Sequence, residues 1–419
     1  MRSSRDSRSC SRSLAQTGTD RTQRRSESSV SSTPARARRY RWTILSAGVV
    51  AQAAYAATGL GLPAIAPAIR HHFDLTLTQV GVVLAAGNFG ALATLLLWGI
   101  VADVIGERAV IALGQAGTAA ALVWAAYVSS FAELVVALSC AGALGAGVNA
   151  ASGRAVMAWF GEEERGLALG IRQMAVPLGG AVGAVVLPVL DDHISLHAAF
   201  DGLAIGCVAA AVVGALLLRV EPAEDHSVLA RPLRDPRVWR ICVASSFYVT
   251  TQLSLLGFFV LFLHDHRGVS TGVAAAGLAV TQVLGGIARI AVGRISDRLR
   301  MRIRPLRWIA LGIAASVGAT TAVLSTSLWI VVPALVVAGT LALSWNGLSF
   351  TAAAETAGRA RSGAAIGLQQ SFLSAGAIVA PIGFATVVHE ASWRLAFLLA
   401  ALSPLAGYAL LSPLAERRP

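Results

Sequence analysis

Trp42-Thr-Ile-Leu-Ser-Ala-Gly-Val-Val-Ala-Gln-Ala-Ala-Tyr-Ala-Ala-Thr-Gly-Leu-Gly-Leu-Pro-Ala-Ile-Ala-Pro-Ala68 runs for 27 residues without a charged side chain. A helix of about 20 apolar residues crosses a hydrocarbon layer roughly 30 Å thick, so this stretch is long enough to span a membrane. Eleven more follow: 78–101, 108–129, 131–157, 166–190 and 198–218, then 239–263, 271–293, 307–325, 328–352, 364–388 and 393–413. Of the 419 residues, 55% are apolar and 13% charged, with a mean hydropathy of +0.66, whereas soluble domains are about 25% charged. The expected fold class is therefore an all-α membrane protein with 12 transmembrane helices, and a water-soluble enzyme does not fit this composition.

What lies between the apolar stretches sets the organisation. Residues 1–41 are rich in Arg, Ser and Thr and poor in large apolar residues, so they are expected to form a disordered cytoplasmic tail. Residues 219–238, with Pro222, Pro232 and Pro236, form a central cytoplasmic loop between two six-helix bundles, 42–218 and 239–413, and 414–419 form a second cytoplasmic tail. The formal charge of +12 comes with 34 arginines and no lysine. Eleven arginines lie in the first 41 residues, seventeen in one alternate set of loops with the C-terminal tail, three in the other set and three inside apolar stretches. That asymmetry is the positive-inside pattern, which places both termini in the cytoplasm of a multi-pass cell-membrane protein and accounts for the basicity without nucleic acid. Cys10, Cys140, Cys207 and Cys242 show no CxxC spacing, and the histidines lie mostly in loops. No disulfide framework, metal site or cofactor is expected.

The halves repeat. Adding 197 carries Asn149 to Asn346, Gly170 to Gly367, Gln173 to Gln370 and Phe200 to Phe397; adding 194 carries Gly99 and Asp103 to Gly293 and Asp297. Internal duplication is a common way to build a transporter. The run Gly99-Ile-Val-Ala-Asp103-Val-Ile-Gly106-Glu-Arg108 resembles the loop signature GxxxDxxGxR of the major facilitator superfamily, and Gly293-Arg-Ile-Ser-Asp297-Arg298 resembles its second copy, with Arg300 in place of the glycine. The resemblance covers everything after the tail and implies two pseudo-symmetric six-helix bundles enclosing a central cavity. It also implies that Gly99, Asp103, Arg108, Gly293, Asp297 and Arg298 belong to a gating latch, and that the third, sixth, ninth and twelfth helices face lipid.

Ionisable side chains at membrane depth mark function by default. Three arginines qualify: Arg154, Arg172 and Arg289. At about 1.5 Å per residue, Arg289 sits about 12 Å from Asp297, approaching the midplane, whereas Arg154 and Arg172 could reach an interface. A guanidinium is a fixed planar charge that binds oxyanions bidentately. Gly285-Gly-Ile-Ala-Arg289-Ile-Ala-Val-Gly293 resembles the eighth helix of organic-anion carriers of the superfamily, the monocarboxylate and oxalate:formate types, with Gly285 where a companion acid would stand. Polar side chains Gln52, Tyr55, Asn88, Asn149, Gln173, Tyr248, Gln252, Gln282, Trp345, Asn346, Gln369 and Gln370 fall on helices one, two, four, five, seven, eight, ten and eleven. With Arg289 and Arg172, the candidate substrate-binding set is Gln52, Tyr55, Asn149, Gln173, Tyr248, Gln252, Asn346, Gln369 and Gln370.

The resulting expectation is a secondary transporter, not an enzyme, moving a small organic or inorganic anion by alternating access, with or without a coupling ion, and working as a monomer. A proton-coupled drug or cation exporter is the alternative, since Val176-Pro177-Leu-Gly179-Gly180 approximates that class's helix-five motif, but Ser139 stands near its helix-four arginine. A transporter-like membrane sensor is the second alternative. Gly268-Val-Ser270-Thr-Gly272 and Gly145-Ala-Gly147-Val-Asn-Ala150 match a nucleophile elbow and a dinucleotide fingerprint only as strings; neither has the strand its chemistry needs.

Overall fold

A computed structural model describes residues 33–160, 162–218, 235–358 and 362–414, and these are helical throughout apart from short turns, with no strand among them. Twelve helices are long and apolar enough to cross a membrane: α1 (Tyr40–His72), α2 (Leu77–Leu95), α3 (Val104–Ala126), α4 (Phe131–Gly153), α5 (Gly170–His193), α6 (Leu196–Leu217), α7 (Pro236–His266), α8 (Thr271–Leu299), α9 (Ile303–Val323), α10 (Leu328–Ala357), α11 (Ala365–Glu390) and α12 (Trp393–Leu411). An all-helical build follows from the solvent, because hydrocarbon offers no partner for backbone N–H and C=O groups. The first helix begins at Thr33, inside the segment expected to be tail; its Ala-Arg-Ala-Arg-Arg sequence has high helix propensity. Residues 1–32, most of the central loop (219–234) and residues 415–419 lie outside the described residues.

The sequence repeat extends to the caps that start the helices. Ser195 caps α6 by accepting from the Ala198 N–H at 3.2 Å, and Ser392, 197 residues later, caps α12 by accepting from Leu395 N–H at 3.1 Å. Ser130 and Ser327 stand in the same relation at the starts of α4 and α10, as Thr76 and Ser270, 194 apart, do at α2 and α8. Thr76 adds a full capping box with Gln79 and Ser130 accepts from the Glu133 N–H, which fixes those helix starts locally, whereas Ser270 and Ser327 hold the cap position without a side-chain cap bond.

Three interruptions shape the bundles. Between α2 and α3 the helix continues except at Gly106, whose φ of 78° and ψ of 164° lie where only glycine fits without strain. Near the other end of α1, a 3-10 turn over Leu62–Ile65 turns the Ala64 N–H to Gly61 O, which frees the Leu60 carbonyl. In α10 a turn at Ser344 and Trp345 separates Leu328–Leu343 from Asn346–Ala357 and frees the Leu343 carbonyl. We call the end of the molecule where α2 meets α3 and α8 meets α9 the signature end, and the other the opposite end.

Small residues set how closely the helices approach. A Cβ on Gly90 of α2 would lie 1.7 Å from the Ser139 carbonyl oxygen of α4, and one on Gly142 of α4 would lie 1.9 Å from the Gly87 oxygen. The outer helices carry exposed apolar side chains toward the surroundings, such as Ile205 and Leu216 on α6 and Leu398 and Leu402 on α12, a surface suited to lipid.

Gly90→Ala is expected to destabilise the N-terminal bundle by roughly 1–3 kcal/mol through overpacking. Gly318→Ala on α9, with no atom within 4 Å of the new carbon, is expected to be neutral or stabilising by up to about 1 kcal/mol. Thermal unfolding of the two purified variants in detergent measures the difference.

Candidate functional site

A cavity of about 240 Å³ lies between the bundles. Gln52, Tyr55, Asn149 and Gln173 of the first bundle and Gln252, Arg289, Asn346 and Gln370 of the second all line it, with Asn88. Both pairs related by 197 in sequence, Asn149 with Asn346 and Gln173 with Gln370, meet across it. So do Tyr55 and Gln252, a further pair at the same offset. The Asn346 Nδ2 donates to Gln252 Oε1 at 2.9 Å, tying α10 to α7 in the wall, and Tyr55 Oη donates to the Gly142 carbonyl at 3.3 Å. Gln52 Oε1 is buried and lacks a donor among the described residues. Thr58, Phe350 and Ser374 also line the cavity and were not legible in advance, because single residues of these types are common in any membrane helix.

Arg289 is the one charged side chain among the described residues lining this space. Its Nε donates to the Leu343 carbonyl at 2.7 Å, the group freed by the interruption of α10, and its Nη1 donates to the Gln173 carbonyl of α5 at 3.3 Å. The guanidinium is thus held by backbone from both bundles. Its Nη2 has no hydrogen-bond partner among the described residues. At 9% exposure, with no carboxylate beside it, the charge is compensated only by carbonyl dipoles.

Three residues of the expected set stand off the cavity wall: Arg172, Gln369 and Tyr248. Adjacent residues on a helix point about 100° apart, so α5 can turn Gln173 inward only by turning Arg172 aside, and likewise Gln370 against Gln369 and Val249 against Tyr248. Arg172 donates from Nε to Ser152 Oγ at 2.9 Å and from Nη2 to the Asn149 carbonyl at 2.8 Å. Gln369 donates to Ser349 Oγ at 2.6 Å. Arg172 and Gln369 are 197 apart, as are Ser152 and Ser349, so one α4–α5 tie occurs again as an α10–α11 tie. Tyr248 packs edge-on against Trp345, with ring centroids 5.5 Å apart, and donates to the Leu306 carbonyl at 3.4 Å. The Gln282 side chain lies over Gly180 of α5 and donates to the freed Leu60 carbonyl at 3.2 Å, in the contact between bundles.

At the signature end the second loop copy is an ion network. Asp297 pairs with Arg302 at 2.6 Å rather than with Arg298, which is exposed, and Arg302 also reaches Glu355 at 3.0 Å and Ser296 Oγ at 2.8 Å. Partial burial works against the Arg302 charge, but Glu355 and Asp297 outweigh it and hold its pKa above the ordinary arginine value. The network links the end of α8 to the end of α10. Gly293 stands in α8 with open space beside it. In the first copy Arg108 is exposed, while the Asp103 side chain and the surroundings of Gly99 lie outside what is described, as does the side chain of Arg154 just beyond α4. At the opposite end Arg70, closing α1, forms an ion pair with Asp265, closing α7, and His264 also contacts that carboxylate. Both partners of this cross-bundle pair are partly exposed.

Twelve membrane-length helices in two repeated halves about one polar cavity define a multi-pass membrane transporter. The chain belongs to the Major Facilitator Superfamily, whose family model matches residues 47–381. An uncharacterised MFS-type transporter of Mycobacterium tuberculosis is 34% identical over 374 residues, covering 87% of this chain and 83% of the relative. A probable sulfoacetate transporter of Cupriavidus necator is 25% identical over 275 residues, 60% of this chain and 64% of that one. Among solved structures, a bacterial homologue of the human lysosomal transporter Spinster, inward-facing and occupied, superposes with a TM-score of 0.73 at 17% identity, covering 89% of this chain and 96% of that one. The nucleoside transporter NupG does so at 0.70 and 13%, covering 89% and 99%. These two share the fold.

Arg300, the counterpart of Gly106 at offset 194, adopts φ 51° and ψ 37°, a left-handed conformation unfavourable for a residue that carries a Cβ. Arg300→Gly is expected to stabilise the protein by up to about 1 kcal/mol, and Arg300→Asn by less. A melting series of the three proteins checks the order; a lower melting temperature for the glycine variant overturns it.

Proposed function

We propose that the chain carries a small anion across the cell membrane by alternating access of the central cavity, with Arg289 as the binding charge. The observation that carries this reading is a lone guanidinium in the wall of a cavity whose other described lining residues are neutral. At about 4 Å and an effective dielectric near 20, an anion gains roughly 4 kcal/mol from such a charge and a cation loses as much. A neutral hydrogen bond contributes about 0.5–1.5 kcal/mol, too little to reverse that preference. The absence of a carboxylate from the described lining weighs against the drug or cation exporter. The relative named as a probable sulfoacetate transporter, an anion carrier by that name, supports the same class.

Access alternates if the contacts between bundles can break. Arg70 with Asp265, and Gln282 with Leu60, close the opposite end. An exposed ion pair is worth only about 0–1 kcal/mol, a bond weak enough to be remade each cycle. The arginine-rich loops support an orientation with the signature end and both termini in the cytoplasm and the opposite end outward. The chain acts as a monomer within the bilayer and needs no cofactor.

In proteoliposomes, Arg289→Gln is expected to cut anion flux by about 10- to 100-fold, the loss of one charged hydrogen-bonding partner, while Arg289→Lys retains part of it. Unchanged flux through a folded glutamine variant removes the binding role. Asp265→Asn is expected to open the outer face: a Thr58→Cys probe should then react with an impermeant thiol reagent added outside, above the background of the native cysteines. Equal labelling with and without Asp265→Asn argues against the latch.

A further inference from the structure

The cavity wall becomes more apolar toward the opposite end. On α4 the lining runs from Asn149, nearer the signature end, to Leu138, and on α11 from Gln370 to Pro381; on α7 Gln252 is followed by Leu253 and Leu256. Val249 and Phe350 add two apolar side chains on the signature side, and toward the opposite end Thr58 and Ser374 are the polar side chains among the described lining. Arg289 belongs to the polar pole, because the Gln173 carbonyl it binds is near the start of α5. Along α4 the two poles are eleven residues apart, about 16 Å of helix. The apolar pole is closed rather than wet: Leu84 of α2 lies against Gly257 of α7, and the Cβ position of Gly81 lies 2.6 Å from the Pro381 carbonyl of α11. Thr58, a polar residue within that pole, uses its hydroxyl on the Tyr55 carbonyl at 2.7 Å.

Resting on the anion reading above, we infer that the substrate is an amphiphilic monoanion. Its carboxylate or sulfonate head sits on Arg289 and its hydrocarbon body lies under the apolar roof made by Leu84, Leu138, Leu253 and Leu256. One guanidinium with one unused amino group matches one oxyanion; a small hydrophilic dianion, as sulfoacetate in the name of the Cupriavidus relative is, would leave its second charge facing leucine, so the inference separates this chain's substrate from that relative's and takes from it only the anionic head. A cavity of about 240 Å³, at the small end of ligand pockets, which run to roughly 300–1,000 Å³, suits a body no larger than a short chain or a single ring.

The test is ligand binding to the full chain in nanodiscs, with acetate, butanoate, hexanoate, benzoate, oxalate, inorganic phosphate and hexylammonium as probes. Affinity is expected to rise about fourfold for each methylene buried, from acetate until the cavity is full, and to fall beyond that length. Benzoate should bind better than acetate, and Arg289→Gln should weaken every carboxylate. Leu253→Asn should flatten the chain-length slope, and the slope in the unaltered protein reads the same property without a substitution. Oxalate or phosphate binding more tightly than hexanoate, or no dependence on length, overturns the amphiphile and leaves the anion reading standing. Hexylammonium binding in preference to every anion overturns both. Hexanoate and benzoate binding to Arg289→Gln as tightly as to the unaltered protein assigns the effect to partitioning into lipid and overturns the inference.

Discussion

A backbone carbonyl freed inside a bilayer has no water to accept from, so any interruption of a membrane helix must be answered by a side chain from elsewhere. The α1 and α10 helices are interrupted in this way, and both freed carbonyls are taken by α8: Leu60 by Gln282 and Leu343 by Arg289. The demand works in both directions. A buried guanidinium needs acceptors as much as the carbonyls need donors, and the two unfavourable groups offset one another. The charge is thereby fixed at the cavity wall without a carboxylate to neutralise it, and the carbonyl bonds leave part of the fork unpartnered.

Duplication explains most of the site and its violation explains the rest. The serine cap positions of α4 and α6, the asparagine and glutamine pairs, and the serine ties behind the wall all recur at the offset of 197. Two copies of one neutral, amide-lined half would make a nearly symmetrical polar cavity. Arg289 breaks that symmetry, since its counterpart at offset 194 is Leu95. The charge that would orient a ligand therefore comes from one half only. Arg172 shows the reverse: it is the charged copy of Gln369, and the repeat places both behind the wall, where each binds a serine.

Close packing gives the two bundles a surface on which to move. Gly180 of α5 receives the Gln282 side chain of α8, while Gly286 of α8 faces Met174 and Pro177 of α5. Contacts between small surfaces lose little when they shift, whereas interlocked large side chains would have to unpack. The cross-bundle polar bonds on this seam are few, and at the opposite end they are partly exposed.

Composition, apolar length, the repeat and the loop signature made the membrane class, the number of crossings, the division into halves and the family legible from sequence, because each depends on the chain's own local chemistry and on a bilayer of known thickness. Most of the cavity residues were legible too, since amides and a guanidinium at membrane depth have few other places to go. What the sequence did not decide was which of two adjacent polar residues faces inward. Gln173 rather than Arg172, Gln370 rather than Gln369 and Val249 rather than Tyr248 follow from the rotation of each helix against its neighbours. That rotation is set by contacts between segments far apart in the chain, such as Gly180 with Gln282 and Leu343 with Arg289, and no local pattern encodes it.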